Sequence, residues 1–261
     1  MDGKAVRGAV GADGEQTHLL AAATHGEQLV IGQVQVGVKS NEIPQFAPLI
    51  TGLAASGVDL SNIVITADAL HCQRGHATYL HERGAEFCFP VKHNQPGVYT
   101  DLDALPWAQT PIGHRSVERG HARTVTRTIR VLPAPPGLTF PHVNRVWLIE
   151  RYTHDTAGAL IGAVAQLGLT SLSTAQADPA RIATLVQHHW GIESLHWLRD
   201  TVYREDHSRA HTGHGPHIMA ALRNLAIGAI HLGGRRDITE VTRWATRRMH
   251  RAFDLLHLNL T

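Results

Sequence analysis

Long apolar runs are missing from this chain. No stretch among its 261 residues approaches the roughly 20 apolar positions that a membrane-spanning helix requires. Cysteine is scarce as well: Cys72 and Cys88 are too few for a disulfide framework and have no partners at zinc-ligand spacing. The opening Met-Asp-Gly-Lys-Ala-Val-Arg holds no secretory apolar region, so a reducing cytosol is the expected surrounding. An excess of one charge is also lacking. The formal net charge is only +2, a tilt too mild to argue by itself for a polyanionic partner. Internal repeats and low-complexity tracts are absent too. What is there is ordinary for a globular protein, 43% apolar and 18% charged, and long enough for one sizeable core or a core with an inserted lobe.

The pattern along the chain alternates between periods. Residues 17–38 read as two short strands around the turn His25-Gly26-Glu27, and Ile43 to Ala55 has helical apolar spacing behind Ser40-Asn41-Glu42 as a capping candidate. Leu60 to Ala67 is short, apolar and rich in Ile and Val, which predicts a buried strand; Cys72 to Arg83 predicts a helix stopped by Gly84, and Glu86 to Val91 another strand. This succession points to an α/β sheet with parallel members. After Asn94-Gln95-Pro96-Gly97 the character changes. Arg123 to Val131 and Arg145 to Ile149 look like added β strands, parted by a Pro-rich break at 133–137. From Pro179 onward the spacing predicts helices over Ile182 to Asp200, Ile218 to Leu232 and Thr239 to Leu256.

Three carboxylates stand out by their surroundings. Asp2 sits at the very start, Asp68 follows the apolar run Ile63-Val64-Ile65-Thr66-Ala67, and Glu193 lies in His189-Trp190-Gly191-Ile192-Glu193-Ser194-Leu195-His196-Trp197. Open α/β sheets bind ligands beyond the carboxyl ends of their strands, where Asp68 falls, although a lone Asp there also serves as an ordinary helix cap or turn residue. Glu193 is set among bulky apolar neighbours, where a charge needs a partner or an ion; the plain alternative is an exposed carboxylate pairing with Arg199 or a histidine. His189, Glu193, His196 and Asp200 share a helical face. A transition-metal bundle would need the Glu-x-x-His motif twice, and only Glu193 with His196 supplies it. The twenty histidines are scattered and read mostly as surface or hydrogen-bonding residues. Arg243, Arg247 and Arg251 fall at i, i+4, i+8 and form either a basic stripe for nucleic acid or a solvated helix face.

These residues resemble DDE transposases of bacterial insertion sequences, in the branch of the H-repeat-associated proteins. The likeness rests on Asp2-Gly3-Lys4-x-x-Arg7-Gly8, Lys39-Ser40-Asn41-Glu42-Ile43, Thr66-Ala67-Asp68-Ala69-Leu70-His71-Cys72-Gln73, Val91-Lys92-His93-Asn94-Gln95-Pro96, the segment from His189 to Trp197, and Arg204-Glu205-Asp206-x-Ser208. Six landmarks in the right order span almost the whole chain. The resemblance implies an RNase H-like mixed sheet flanked by helices, a β-rich insertion between the second and third acids, and a helical carboxyl end. In those terms 1–110 is the first part of the core, 111–177 the insertion, and 178–261 the helical completion with basic helices. It implies that Asp2, Asp68 and Glu193 hold two Mg²⁺ ions, with Mn²⁺ as a substitute, because cutting a phosphodiester calls for cations that activate the attacking oxygen and neutralise the leaving one. Lys4, Arg7, Lys39, Asn41, Lys92, Asn94, His189, His196, Asp200 and the three arginines are the supporting or DNA-contacting candidates. The partners implied are double-stranded DNA, at element ends and target, and further copies of the chain assembled on it, in a bacterial, nucleoid-associated setting and away from membranes.

Departures accompany the matches. Gln187 stands where relatives usually carry an arginine, and Ser194 where they carry an asparagine. Relatives also precede the first acid with an apolar strand and a helical region, so the sequence suggests either a miscalled start or a shortened remnant in which Asp2 frays. Three functions stay open: a transposase catalytic domain, an inactive derivative that binds DNA or a full-length partner, and a structure-specific nuclease without strand transfer.

Overall fold

The computed structural model describes residues 1–11, 14–37, 40–61, 63–248 and 250–255. Its strands are β1 (Asp2–Val10), β2 (Gln16–Ala23), β3 (Val30–Val36), β4 (Val64–Thr66), β5 (Glu86–Val91), β6 (His114–Gly120), β7 (Arg123–Pro133), β8 (Arg145–Asp155) and β9 (Leu160–Thr170). Its helices are α1 (Phe46–Ala55), α2 (Arg74–His81), α3 (Pro96–Asp103), α4 (Pro179–His189), α5 (Gly191–Thr201), α6 (Gly215–Leu232), α7 (Ile238–Thr246) and α8 (His250–Leu255). Short 3-10 turns occupy Ile43–Gln45, Ala69–His71 and Glu205–His207. The chain divides into two compact units, one made of Met1–Val58 with His188–Thr261 and the other of Asp59–Gln187.

In the first unit β1, β2 and β3 form an antiparallel sheet in that order, with Asp2 opposite Ala21 and His18 opposite Val36. Both faces are covered, which is why Leu19, Leu20, Ala21 and Ala22 are buried in succession and the segment shows no alternation. On one face Leu49 and Leu53 of α1 lie so close over Gly32 that a Cβ there would meet Leu53 at 2.7 Å. On the other, Val6, Ala9 and Leu19 pack on Ala220 of α6. A bulge between Val6 and Val10 shifts the pleat, and so turns Ala9 inward and Val10 outward. Leu195 of α5, Ile227 and Ile230 of α6, and Ile238 and Val241 of α7 complete the core.

The second unit is built on a six-stranded mixed sheet in the order β4-β5-β9-β8-β7-β6. β4 and β5 run parallel, as the βαβ pattern predicts, and the other neighbours are antiparallel. Four long strands, β6 to β9, thus stand between the second and third acids. Their core side packs Ile129, Trp147 and Ile149 against Ile182 of α4, with Cys88, Leu172 and Ala177. The indole of Trp147 lies across Gly168, its partner on β9, where an added Cβ would come within 2.0 Å of the ring. The α/β class, the mixed sheet flanked by helices and the helical carboxyl end agree with the sequence.

Three local expectations are corrected. The strand over Leu60 to Ala67 shrinks to Val64–Thr66, because Asp59 Oδ1 accepts the Ser61 N–H at 2.9 Å and holds that stretch in a turn. The helix over Ile182 to Asp200 is two helices that part at Trp190, and the one over Thr239 to Leu256 is α7 and α8, parting after Thr246; Leu256 lies outside the described residues.

Candidate functional site

Asp2 and Glu193 belong to the first unit and Asp68 to the second. Asp2 opens β1, paired in register with β2 next to a buried Met1, in place of the expected fraying. The pleat puts Asp2, Lys4 and Val6 on one face, and α5 lies along it. His196 Nδ1 is 3.4 Å from Asp2 Oδ2. One turn further along α5, Asp200 accepts the Lys4 ammonium at 2.8 Å. Glu193 is one turn the other way, exposed in the first turn of α5, where a helix N-terminus favours a carboxylate.

A buried ion network locks this arrangement. Glu205 is fully buried, and both Arg199 Nε at 2.9 Å and Arg199 Nη2 at 2.7 Å reach its Oε2. Arg223 Nη1 donates to Oε1 at 3.2 Å, and Lys4 Nζ is 3.9 Å from Oε2. A carboxylate out of water needs such cations around it, and the left-handed backbone of Arg204 (φ 50°) delivers Glu205 to them. Asp206 takes the Arg7 N–H at 3.2 Å and lies 3.5 Å from Lys4. The glycines of the first landmark are explained by contact. A Cβ on Gly8 would stand 2.3 Å from the Ser208 carbonyl, and one on Gly3 1.9 Å from the Glu42 carboxylate, which also meets His18 Nε2 at 3.0 Å. Asn41 Oδ1 accepts the Ile43 N–H at 3.1 Å and so starts the turn into α1. Lys39 lies outside the described residues.

In the second unit Asp68 follows β4, and its Oδ1 accepts the Leu70 N–H at 3.1 Å, the capping role that the sequence had left open. The loop after β5 braces the same segment: Asn94 donates to the Ala69 carbonyl at 2.5 Å and Gln95 to the Cys72 carbonyl at 2.9 Å. Lys92 beside them is exposed. Among the described residues no three His, Cys, Asp or Glu side chains are drawn together closely enough to hold a metal ion. By type, the three carboxylates are the hard oxygen donors that Mg²⁺ and Mn²⁺ prefer. The thiols are not candidates, since burial pushes Cys72 and Cys88 up to about 12 and keeps both protonated.

The remaining candidates are dispersed. His189 ends α4, half-buried. Arg243 is exposed on α7 and Arg247 caps that helix, whereas Arg251 on α8 donates to the Trp244 carbonyl at 3.0 Å with its guanidinium 4.8 Å from the indole. The three arginines therefore do not share one helical stripe. Sequence reasoning missed Arg223 and the hub role of Glu205. The available signal was Arg223 itself, a lone full charge in the mostly apolar 18-residue α6.

The family model of the transposase DDE domain matches residues 2–228, a span that includes all three acids. The chain belongs to the DDE transposase family. Relatives of this DDE domain include the H repeat-associated putative transposase YhhI of Escherichia coli (strain K12), 27% identical over 82% of the chain and 58% of the relative. The putative transposase YncI of Escherichia coli O157:H7 is 26% identical over 88% of the chain and 60% of the relative. The chain thus spans somewhat under two thirds of the length of these curated relatives. A solved piggyBac transposase synaptic complex with hairpin DNA aligns with TM-score 0.48 and 14% identity, over 97% of this chain and 51% of that one. No helix among the described residues is long and apolar enough to cross a membrane.

Proposed function

We propose that this DDE domain cleaves DNA strands at the ends of an insertion sequence and joins them to target DNA, with Asp2, Asp68 and Glu193 as ligands of two Mg²⁺ ions that Mn²⁺ can replace. The match of the family model across all three acids supports this reading most directly. Bound divalent ions would supply activation of the attacking oxygen and neutralisation of the leaving oxygen. The protein's own residues do the positioning. Lys4 bonded to Asp200 holds α5 against β1, which keeps Asp2 and Glu193 on neighbouring elements. His196 orients the Asp2 carboxylate, and Asn94 fixes the turn that carries Asp68. Lys92, Arg7, Arg243 and Arg247 are exposed cations available to phosphates, and several copies on paired ends make up the working assembly.

The test is Mg²⁺-dependent nicking of DNA bearing the element ends, followed by joining of a labelled 3′ end to a target duplex. Asp68→Ala and Glu193→Ala should each reduce nicking by on the order of 10³-fold, the loss of several kcal/mol of transition-state stabilisation. Nicking that survives both substitutions rejects the assignment of the acids; nicking without joining leaves a nuclease in place of a transposase.

A further inference from the structure

Helix α6 is apolar on two sides. Its inner side, with Ala220, Ile227 and Ile230, is buried in the first unit, and its single full charge, Arg223, is turned inward to Glu205. Its outer side is equally apolar, although it faces solvent: Ile218 is 56% exposed, Leu222 53%, Leu225 58% and Leu232 68%, with Met219 beside them. A helix that is apolar all round is normally covered all round.

The spacing of the outer residues indicates what covers them. Ile218, Leu222, Leu225, Ala229 and Leu232 follow one another at intervals of 4, 3, 4 and 3, the a/d repeat that one helix presents to another. The residues flanking this seam are Met219, Ala221 and Ala226, small or flexible and without charge, with Gly228 buried on the inner side. A charged partner would lose hydration there and gain no counter-charge, whereas a second α6 brings an equally uncharged stripe. Sizes fit as well. With a two-fold axis at Leu225 and the helices antiparallel, Ile218 faces the partner's Leu232, and Leu222 falls over the partner's small Ala229. The 18-residue helix gives the contact a length of about 27 Å.

We propose that α6 is a self-association seam through which two copies of this chain pair, antiparallel, about Leu225. The pairing concerns the first unit alone and stands whether or not the three acids cut DNA: a dimeric protein without nicking leaves the seam intact, and a monomeric protein that nicks leaves the chemistry intact.

Sedimentation equilibrium of the full chain from about 1 to 100 µM should show a monomer–dimer equilibrium. Leu222→Glu and Leu225→Glu should each weaken it at least about 100-fold while circular dichroism and melting stay unchanged. Leu225→Cys should yield a disulfide-linked dimer under mild oxidation, a readout that the buried Cys72 and Cys88 do not confuse. A chain that stays monomeric at 100 µM overturns the proposal, as does a dimer that survives both glutamate substitutions or a Leu225→Cys chain that fails to cross-link.

Discussion

The two units hold their carboxylates by opposite means. In the first, β1 and α5 are fastened by charge: Arg199, Arg223 and Lys4 converge on the buried Glu205, and Lys4 also meets the half-buried Asp200 and Asp206. In the second, Asp68 stands at the end of a strand in a sheet fastened by apolar packing, with Trp147 over Gly168 and Ile182 against Ile129 and Ile149. A buried ion network is directional and fixes which turn of α5 meets which residue of β1. An apolar core is more tolerant of exchange but supplies bulk stability.

That contrast is sharpest at its two centres. Glu205→Ala leaves two buried guanidinium groups and an ammonium without their hub, and urea unfolding should show about 3–5 kcal/mol of destabilisation. A loss below about 1 kcal/mol would mean that charge does not hold this unit. Gly168→Ala drives a Cβ into the rigid indole of Trp147, which should cost about 1–3 kcal/mol and red-shift tryptophan fluorescence as the ring is displaced. Asn94→Ala removes one hydrogen bond to the Ala69 carbonyl, an expected loss of about 1 kcal/mol, with nicking more affected than melting because the turn carries Asp68.

The effect that is smallest at neutral pH concerns a histidine. Burial first, then the amino-terminal charge and His188, push His25 down to about 4 from 6.5. The unfolded chain therefore binds the proton more readily than the folded one, so stability should be full above pH 6.5 and decline as pH falls from 6.5 toward 4. His25→Asn should flatten that slope in a pH series of melting curves; an unchanged slope would assign it to other groups.

Much of the candidate site was legible because its residues sit beside unmistakable local patterns. Asp68 follows an apolar β run, and Glu193 lies among tryptophans and histidines. β9 was not legible. Its outer half, Leu160-Ile-Gly-Ala-Val-Ala, has no polar alternation, because neither face is set by a single core. The basic stripe read from the spacing of Arg243, Arg247 and Arg251 was lost for the opposite reason, since spacing assumes a continuous helix and the chain breaks after Thr246.

Local sequence determined the class of the protein, the placing of Asp68 just beyond a strand, and the family to which the chain belongs, because periodicity, capping and motif order are short-range properties. Only the tertiary structure decided that Lys4 and Asp206 serve Glu205 and its neighbours inside the first unit, that Gly3 makes room for Glu42, and that α6 is left with an uncovered apolar side. Those outcomes join residues up to about two hundred positions apart, and contacts at that separation are chosen by packing and desolvation, which no local window of sequence contains.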